Sequence, residues 1–331
     1  MTDSGLKQDQ RGVSVIIPVF NRWELAERAL NSALAQTYST FEVIMVDDGS
    51  HIAAPAVLIN MPDKRLNLVS LTENRGAAAA RNIGVAQAKY NLIAFLDSDD
   101  IWAPDKLILQ VEFMDRFPQF SDISCTNYYY GRKSGAENRY IELRDNENLA
   151  TGRALLDGCF IGPGSTLMVR KKIFQQIGPM NENLARLEDW EWMMRAARYT
   201  EIGILKKSLC YVDQQGPPNL DVVCASTRVL LHSQCELVGK EFGPSGIKRF
   251  RASLLIERAV SCFRNHRPVL AAAYIIFASW TNPNRVYHFV MLYLARKRKC
   301  PENNANNMDM DGFSQNLSIA YRRRLRRSRR Q

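Results

Sequence analysis

The chain has 331 residues, with 44 Lys and Arg against 34 Asp and Glu, and a formal net charge of +10. Eleven of those basic residues and three of the acids fall in 296–331, so the last 36 residues carry +8 and the other 295 only +2. A nearly neutral, 46% hydrophobic body excludes a disordered chain and a chain-wide nucleic-acid coat, and it confines the basic character to one end.

The first 130 residues alternate short apolar runs with helical patterns. Val13–Val19 is a β-branched run ended by Pro18 and Asn21. Trp23–Ala35 then places Leu25, Ala29, Ala33 and Leu34 at near-helical spacing. Phe41–Val46 is a second apolar run, broken by Asp47-Asp48-Gly49-Ser50, and Leu66–Leu71 is a third. Ala77–Ala88 predicts a helix. Asn91–Leu96 is a fourth run, closed by Asp97-Ser98-Asp99-Asp100, and Pro104 sits where the first turn of a helix over Asp105–Phe117 tolerates it. Buried runs alternating with helices predict a parallel sheet covered by helices. Ligands of such sheets bind beyond the carboxyl ends of the strands. The polar clusters at Asn21-Arg22, Asp47-Asp48 and Asp97–Asp100 follow different strands, so they are expected to meet on one edge.

Residues 131–165 turn polar and glycine-rich and read as loops crossing that edge. Residues 166–212 resume mixed structure, with a helix from about Asp189. From 221 to 295 the pattern is helical, with breaks at Gly243–Gly246 and Pro283, and the Asn/Asp-rich stretch 301–312 reads as a flexible linker. Four units follow: a tail over 1–11, a catalytic domain over 12–220, a helical region over 221–300 and a basic tail over 301–331.

Three acidic clusters carry the chemistry. Three carboxylates within Asp97–Asp100 repel one another unless a cation sits among them, which suits Mg²⁺ or Mn²⁺ beside phosphates. The same residues also suit a solvated turn that caps the next helix. Asp48 ends a strand, where its carboxylate can accept the N–H of a nucleobase or simply close a turn. Glu188-Asp189 opens a helix, where a carboxylate can act as general base or merely oppose the helix dipole. Trp190 beside it can stack on a sugar or serve the core. No phosphate-loop or dinucleotide glycine fingerprint is present, and the four His lack zinc-ligand spacing. Seven scattered Cys form no CxxC pair, which fits a reducing, cytoplasmic setting. The polar start MTDSGLKQDQR has no leader pattern.

Taken in order, VSVIIPVFNR (13–22), FEVIMVDDGS (41–50), NRGAAAARNIG (74–84), NLIAFLDSDDIWAPDKL (91–107), GSTLMVRKKIFQQIG (164–178) and LEDWEWMMRAARY (187–199) resemble the inverting family 2 glycosyltransferases of the GT-A fold. The resemblance spans roughly 12–212 and implies an α/β nucleotide-diphospho-sugar transferase fold: a mainly parallel sheet flanked by helices, here with a helical C-terminal extension. It implies that Pro18 and Phe20 border the nucleotide base, that Asp48 holds a uracil edge, and that Arg81 lies near the nucleotide. Asp97-Ser98-Asp99 matches the DxD motif, with Asp97 reaching ribose or metal and Asp99 binding a divalent cation, Mn²⁺ or Mg²⁺. Asp189 matches the catalytic base, and Glu188 and Trp190 flank it on the acceptor side. The implied activity is transfer of a sugar from a nucleotide-sugar donor, a UDP-sugar, to a hydroxyl of a glycan or polyprenyl-linked acceptor in bacterial surface-polysaccharide assembly.

Two departures stand out. Many relatives carry a His after the last strand, whereas this chain reads Tyr211-Val212-Asp213-Gln214-Gln215, so either Asp213 substitutes or the third protein ligand is absent. The usual Gly-Gly-Phe is Gly178-Pro179-Met180. A nucleotidyltransferase of similar fold would bring a glycine-rich, Lys-bearing first loop, which Val19-Phe20-Asn21-Arg22 is not. A non-catalytic membrane- or RNA-binding scaffold is the other alternative.

Val269–Trp280 and Val286–Ala295 are apolar stretches of 12 and 10 residues, each too short to span a bilayer. Arg296–Lys299 follows directly. Such a pair suits an anionic membrane surface at the inner face of the cytoplasmic membrane, or else a packed helical subdomain. The Arg322–Arg330 run lacks the aromatic interleaving of RNA binders, so no nucleic-acid partner is expected; the basic tail reads instead as a solvated tail or as a contact with an anionic membrane surface.

Overall fold

A computed structural model describes residues 12–120, 122–131, 139–141, 149–150, 152–159, 164–213 and 216–298. The 1–11 tail, the 301–331 tail with its linker, and most of the 131–165 stretch lie outside the described residues.

The chain runs β1 (Val13–Val19), α1 (Trp23–Leu34), β2 (Phe41–Asp47), α2 (Ala56–Ile59), β3 (Leu66–Ser70), α3 (Ala77–Gln87), β4 (Leu92–Phe95), β5 (Ile101–Trp102) and α4 (Lys106–Arg116). It continues with β6 (Ile123–Gly131), β7 (Arg139–Ile141), β8 (Leu149–Ala150), α5 (Gly152–Leu155), β9 (Met168–Arg170), α6 (Lys171–Ile177), α7 (Glu188–Ala196) and β10 (Ile202–Asp213). Three helices close it: α8 (Leu220–Arg264), α9 (Pro268–Thr281) and α10 (Pro283–Arg298).

One sheet holds all ten strands of the described residues, in the order β3-β2-β1-β4-β9-β6-β10-β5, with β7 on β6 and β8 on β10. The β3-β2-β1-β4 half is parallel, as the alternation of runs and helices predicts. The other half is mixed. β9 is antiparallel to both β4 and β6, and β5 is antiparallel to β10. Because β9 turns over between β4 and β6, the long strands β6 and β10 still run parallel to β1. The carboxyl ends of β1, β2, β4 and β10 therefore share an edge, which brings Phe20, Asp48, Asp97 and Asp213 to one side of the sheet.

The pleat of β1 divides the core. Val13, Val15, Ile17 and Val19 pack toward α1 and α4, while Ile16 packs toward α3 and α7. α3 lies close because Gly84 faces β1: a Cβ there would stand 2.4 Å from the Ile16 side chain. Gly243, at φ +66, kinks α8, and Pro283 starts α10, so both expected breaks are real. Among the described residues no helix is long and apolar enough to cross a membrane.

Candidate active site

The loops after β1 and β2 are laced together. Asn21, at φ +54, donates its N–H to Ser50 Oγ at 2.9 Å, and His51 donates its N–H to Asn21 Oδ1 at 2.8 Å. The Asp48 N–H donates to the Val19 carbonyl at 2.8 Å. Gly49 is required here: it sits at φ +70, and a Cβ would come within 2.4 Å of the Glu73 backbone. This lacing leaves Phe20 at the rim, 36% exposed and edge-on to His51, with Pro18 half-buried behind it.

Asp48 is spoken for on both oxygens. Oδ1 accepts from the Arg75 N–H at 2.9 Å, and Oδ2 accepts from the Gly76 N–H at 2.8 Å, just where α3 begins. Burial raises its pKa, opposed by those two amides. A carboxylate has about four lone-pair sites, so room for a further donor remains.

The Asp97–Asp100 turn divides its carboxylates between site and scaffold. Asp100 points inward, where it accepts from Ser165 Oγ at 2.5 Å and from the Asp213 N–H at 3.0 Å. Burial, then Asp97 and Asp99, hold its pKa well above the usual carboxylate range. Ser165 also accepts the Asp97 N–H at 2.9 Å, and its carbonyl accepts the Trp102 indole N–H at 2.8 Å. Ser98 is buried within the turn. Asp97 and Asp99 face the cleft, and each already meets an arginine. Arg81 reaches Asp97 at 2.5 Å, and Arg22 reaches Asp99 at 2.9 Å. Burial, then Asp97, pushes Asp99 up to about 6, against the pull of Arg22 and with a further push from Asp213.

Arg81 joins the two halves of the cleft. The side chain is buried on α3, yet its guanidinium bridges Asp97 and Glu188, the latter at 2.6 Å. Burial works against its charge, but Asp97 and Glu188 more than offset that and raise its pKa. Its Nε is buried with no hydrogen-bond partner among the described residues.

Asp189 stands beside Glu188 in the first turn of α7, behind Leu187 at φ +68. The Trp190 N–H donates to Asp189 Oδ1 at 2.7 Å. Burial, then the Glu188 charge, pushes Asp189 up to about 7, while Arg81 and the Trp190 amide pull it down. A carboxyl group poised near neutral pH suits proton transfer. Trp190 does not join it in the cleft. It is fully buried, its indole donates to the Leu155 carbonyl at 2.8 Å, and its ring meets Phe250 of α8 edge-on at 5.9 Å. The ring face that a sugar would need is taken by the core, which corrects the acceptor-side expectation for this residue.

The donor set at Asp97 and Asp99 is hard oxygen, as Mg²⁺ or Mn²⁺ prefers. Among the described residues no group of three His, Cys, Asp or Glu converges to hold a metal. Asp213 instead lies 3.9 Å from Arg28, with its N–H on Asp100. Asp97 and Asp99, each already paired with an arginine, are the hard-oxygen donors on this side, and ligand oxygens and water would have to complete the shell of any cation there. Arg22 and Ser165 are the site-shaping residues that the sequence pattern left without a role.

Residues 14–178 match glycosyl transferase family 2. The succinoglycan biosynthesis protein ExoO of Rhizobium meliloti is 43% identical over 103 residues, which is 31% of this chain and 30% of ExoO. The chain spans about a third of the length of the first curated relatives it matches. The crystal structure of TarS residues 1–349 from S. aureus superposes with a TM-score of 0.57 at 19% identity, over 81% of this chain and 88% of that one. The mannosyltransferase PcManGT of Pyrobaculum calidifontis, solved with GDP-Man and Mn²⁺, superposes with a TM-score of 0.56 at 19% identity, over 93% and 85%. These likenesses identify the sheet as the GT-A fold. Through residues 14–178, the chain belongs to glycosyl transferase family 2.

Proposed function

We propose that the protein is an inverting glycosyltransferase that moves a sugar from a UDP-sugar to a hydroxyl of a glycan or lipid-linked acceptor. The observation that carries this reading is Arg81, whose one guanidinium spans the Asp97 side of the cleft and the Glu188 side. A donor diphosphate and an acceptor hydroxyl would meet across that bridge. The buried Nε of Arg81, without a partner among the described residues, is a donor suited to a phosphate oxygen.

In this reading Phe20 and Pro18 border the base, and the free lone pairs of Asp48 take the uracil imide N–H. Asp99 with Asp97 would hold a divalent cation, which when bound would supply charge neutralisation at the leaving diphosphate. Asp189 takes the proton of the acceptor hydroxyl as it attacks the anomeric carbon from the face opposite the diphosphate, so one base suffices for single displacement with inversion. Glu188 steadies Arg81 rather than reacting. The relatives' own ligands, UDP-GlcNAc in a TarS structure and GDP-Man with Mn²⁺ in PcManGT, support a nucleotide-sugar donor and a divalent ion. ExoO, named for succinoglycan biosynthesis, supports a polysaccharide product. The work would take place at the cytoplasmic face of the membrane, where lipid-linked acceptors are presented.

The test is turnover of a panel of nucleotide sugars with Mn²⁺ or Mg²⁺, alongside Asp99→Ala and Asp189→Ala. Hydrolysis or transfer of one donor, lost in both variants, is expected. Folded protein that neither binds nor turns over any donor would overturn the reading.

A further inference from the structure

We propose that the outward face of α9 and α10 docks on an anionic lipid surface; this extends the membrane-face part of the proposed function by assigning the surface that makes the contact. Nine of the fifteen exposed large apolar side chains among the described residues fall between Phe263 and Met291. On α9 they recur at helical spacing as Val269, Ile276, Phe277 and Trp280, exposed by 84%, 52%, 53% and 79%. Tyr287 and Met291 continue the surface on α10. The opposite side of the pair is the packed one, where Ala278 and Val286 meet Ala252 and Ile256 of α8. The hairpin thus has its apolar stripe toward solvent as well as toward the core, and soluble monomers rarely leave such a patch uncovered.

Charge selects the occupant. From Arg258 to Arg298 there are seven Lys or Arg and no Asp or Glu; Arg258, Arg264 and Arg285 bond within the protein, so the cations that count here are exposed Arg267 and the Arg296-Lys297-Arg298 run in which α10 ends. A second copy of this chain would oppose like charge to like across the patch. A neutral apolar partner would leave the cations unused. An anionic bilayer satisfies both features at once, taking the stripe into its interface and the cations at its headgroups. Trp and Tyr at the border of an apolar patch are at home at that depth. The hairpin is also tied to the catalytic body. Arg285 of α10 and Arg249 of α8 hold the Asp157 carboxylate at 3.3 and 2.5 Å, and Arg285 donates to Ser253 Oγ at 2.8 Å. A docked hairpin therefore holds the cleft at a set distance from the lipid.

Trp280 is a built-in reporter. It is the one exposed tryptophan of five, the other four being 8% exposed or less. Titrating the full chain with phosphatidylcholine vesicles containing about a third phosphatidylglycerol should blue-shift its emission and carry the protein into the pellet, with pure phosphatidylcholine at least about tenfold weaker. Ile276→Glu with Phe277→Glu should weaken binding at least about tenfold and leave donor turnover in vesicle-free buffer unchanged. No blue shift, or equal binding by the double variant, overturns the inference and leaves the contact to another part of the chain. A blue shift that follows protein concentration and not lipid, with a dimer by sedimentation, assigns the patch to a second copy and also overturns it. Turnover is read separately, so its loss bears on the transferase reading alone.

Discussion

The Ser165 hydroxyl donates to Asp100 at 2.5 Å while it accepts the Asp97 N–H at 2.9 Å. One small side chain thereby sets the pitch of the acidic turn, with Asp100 drawn inward and Asp97 and Asp99 left to the cleft. Ser165→Ala leaves the half-buried Asp97 amide and the buried Asp100 carboxylate each short of a partner. We expect a loss of about 1–3 kcal/mol of stability and a rise in donor KM larger than the fall in kcat. Denaturant unfolding and steady-state kinetics check both.

Asp189 should write its ionisation into the rate. With its pKa pushed up to about 7, the base is protonated below that value, so kcat/KM should climb through neutral pH and level off above it. Asp189→Asn should lower kcat by about 10²–10⁴-fold and abolish that limb while donor affinity survives. A pH–rate profile with the limb unchanged in the variant would count against the assignment.

Arg81 is buried between two acids, so its removal strands both. Arg81→Ala should cost about 3–5 kcal/mol, the penalty for breaking a buried pair from one side. Arg81→Lys keeps the charge but loses the planar fork, and should retain more stability than activity. Chemical denaturation beside turnover separates the two effects.

Trp190 should behave as a core residue. Trp190→Ala is expected to destabilise by about 3–5 kcal/mol. Trp190→Phe keeps the packing against Phe250 but leaves the Leu155 carbonyl without its indole donor, and should cost about 1–3 kcal/mol with acceptor KM near the parent value. A selective rise in acceptor KM would return the ring to the cleft.

Lys106 tests the scaffold beneath the site. It is fully buried, with Nζ 2.6 Å from Gln110 Oε1 and 4.2 Å from the Trp102 ring centre. Burial lowers its pKa to about 7. The unfolded chain holds that proton up to about 10.4, so between roughly pH 7 and 10 the unfolded state binds more protons and stability from this group rises with pH. Lys106→Met should flatten the rise in Tm over that window.

Much of the fold is legible in the chain because its signals are local. β1, α1, β2, α3 and β4 are marked by β-branched runs, helical spacing and Pro, Gly or Asp breaks, and their order alone places Asp48 and Asp97 on one edge. β5 and β9 have two and three residues, too few for a period, and exist only because β10, β4 and β6 offer them partners. The same limit hides Ser165, whose role depends on two residues more than sixty positions away. Trp190 looks like a cleft residue because it adjoins Asp189. Its burial is decided by Phe250, sixty positions on in a helix whose packing leaves no trace in the local pattern.

The Asp97 charge is among the influences that lift the Asp189 pKa. Any cation that neutralises Asp97 must therefore make Asp189 a stronger acid, and by reciprocity an ionised Asp189 must bind that cation more tightly. Under the proposed function, loading the donor side would ready the base on the acceptor side, with charge as one link between the two halves of the cleft.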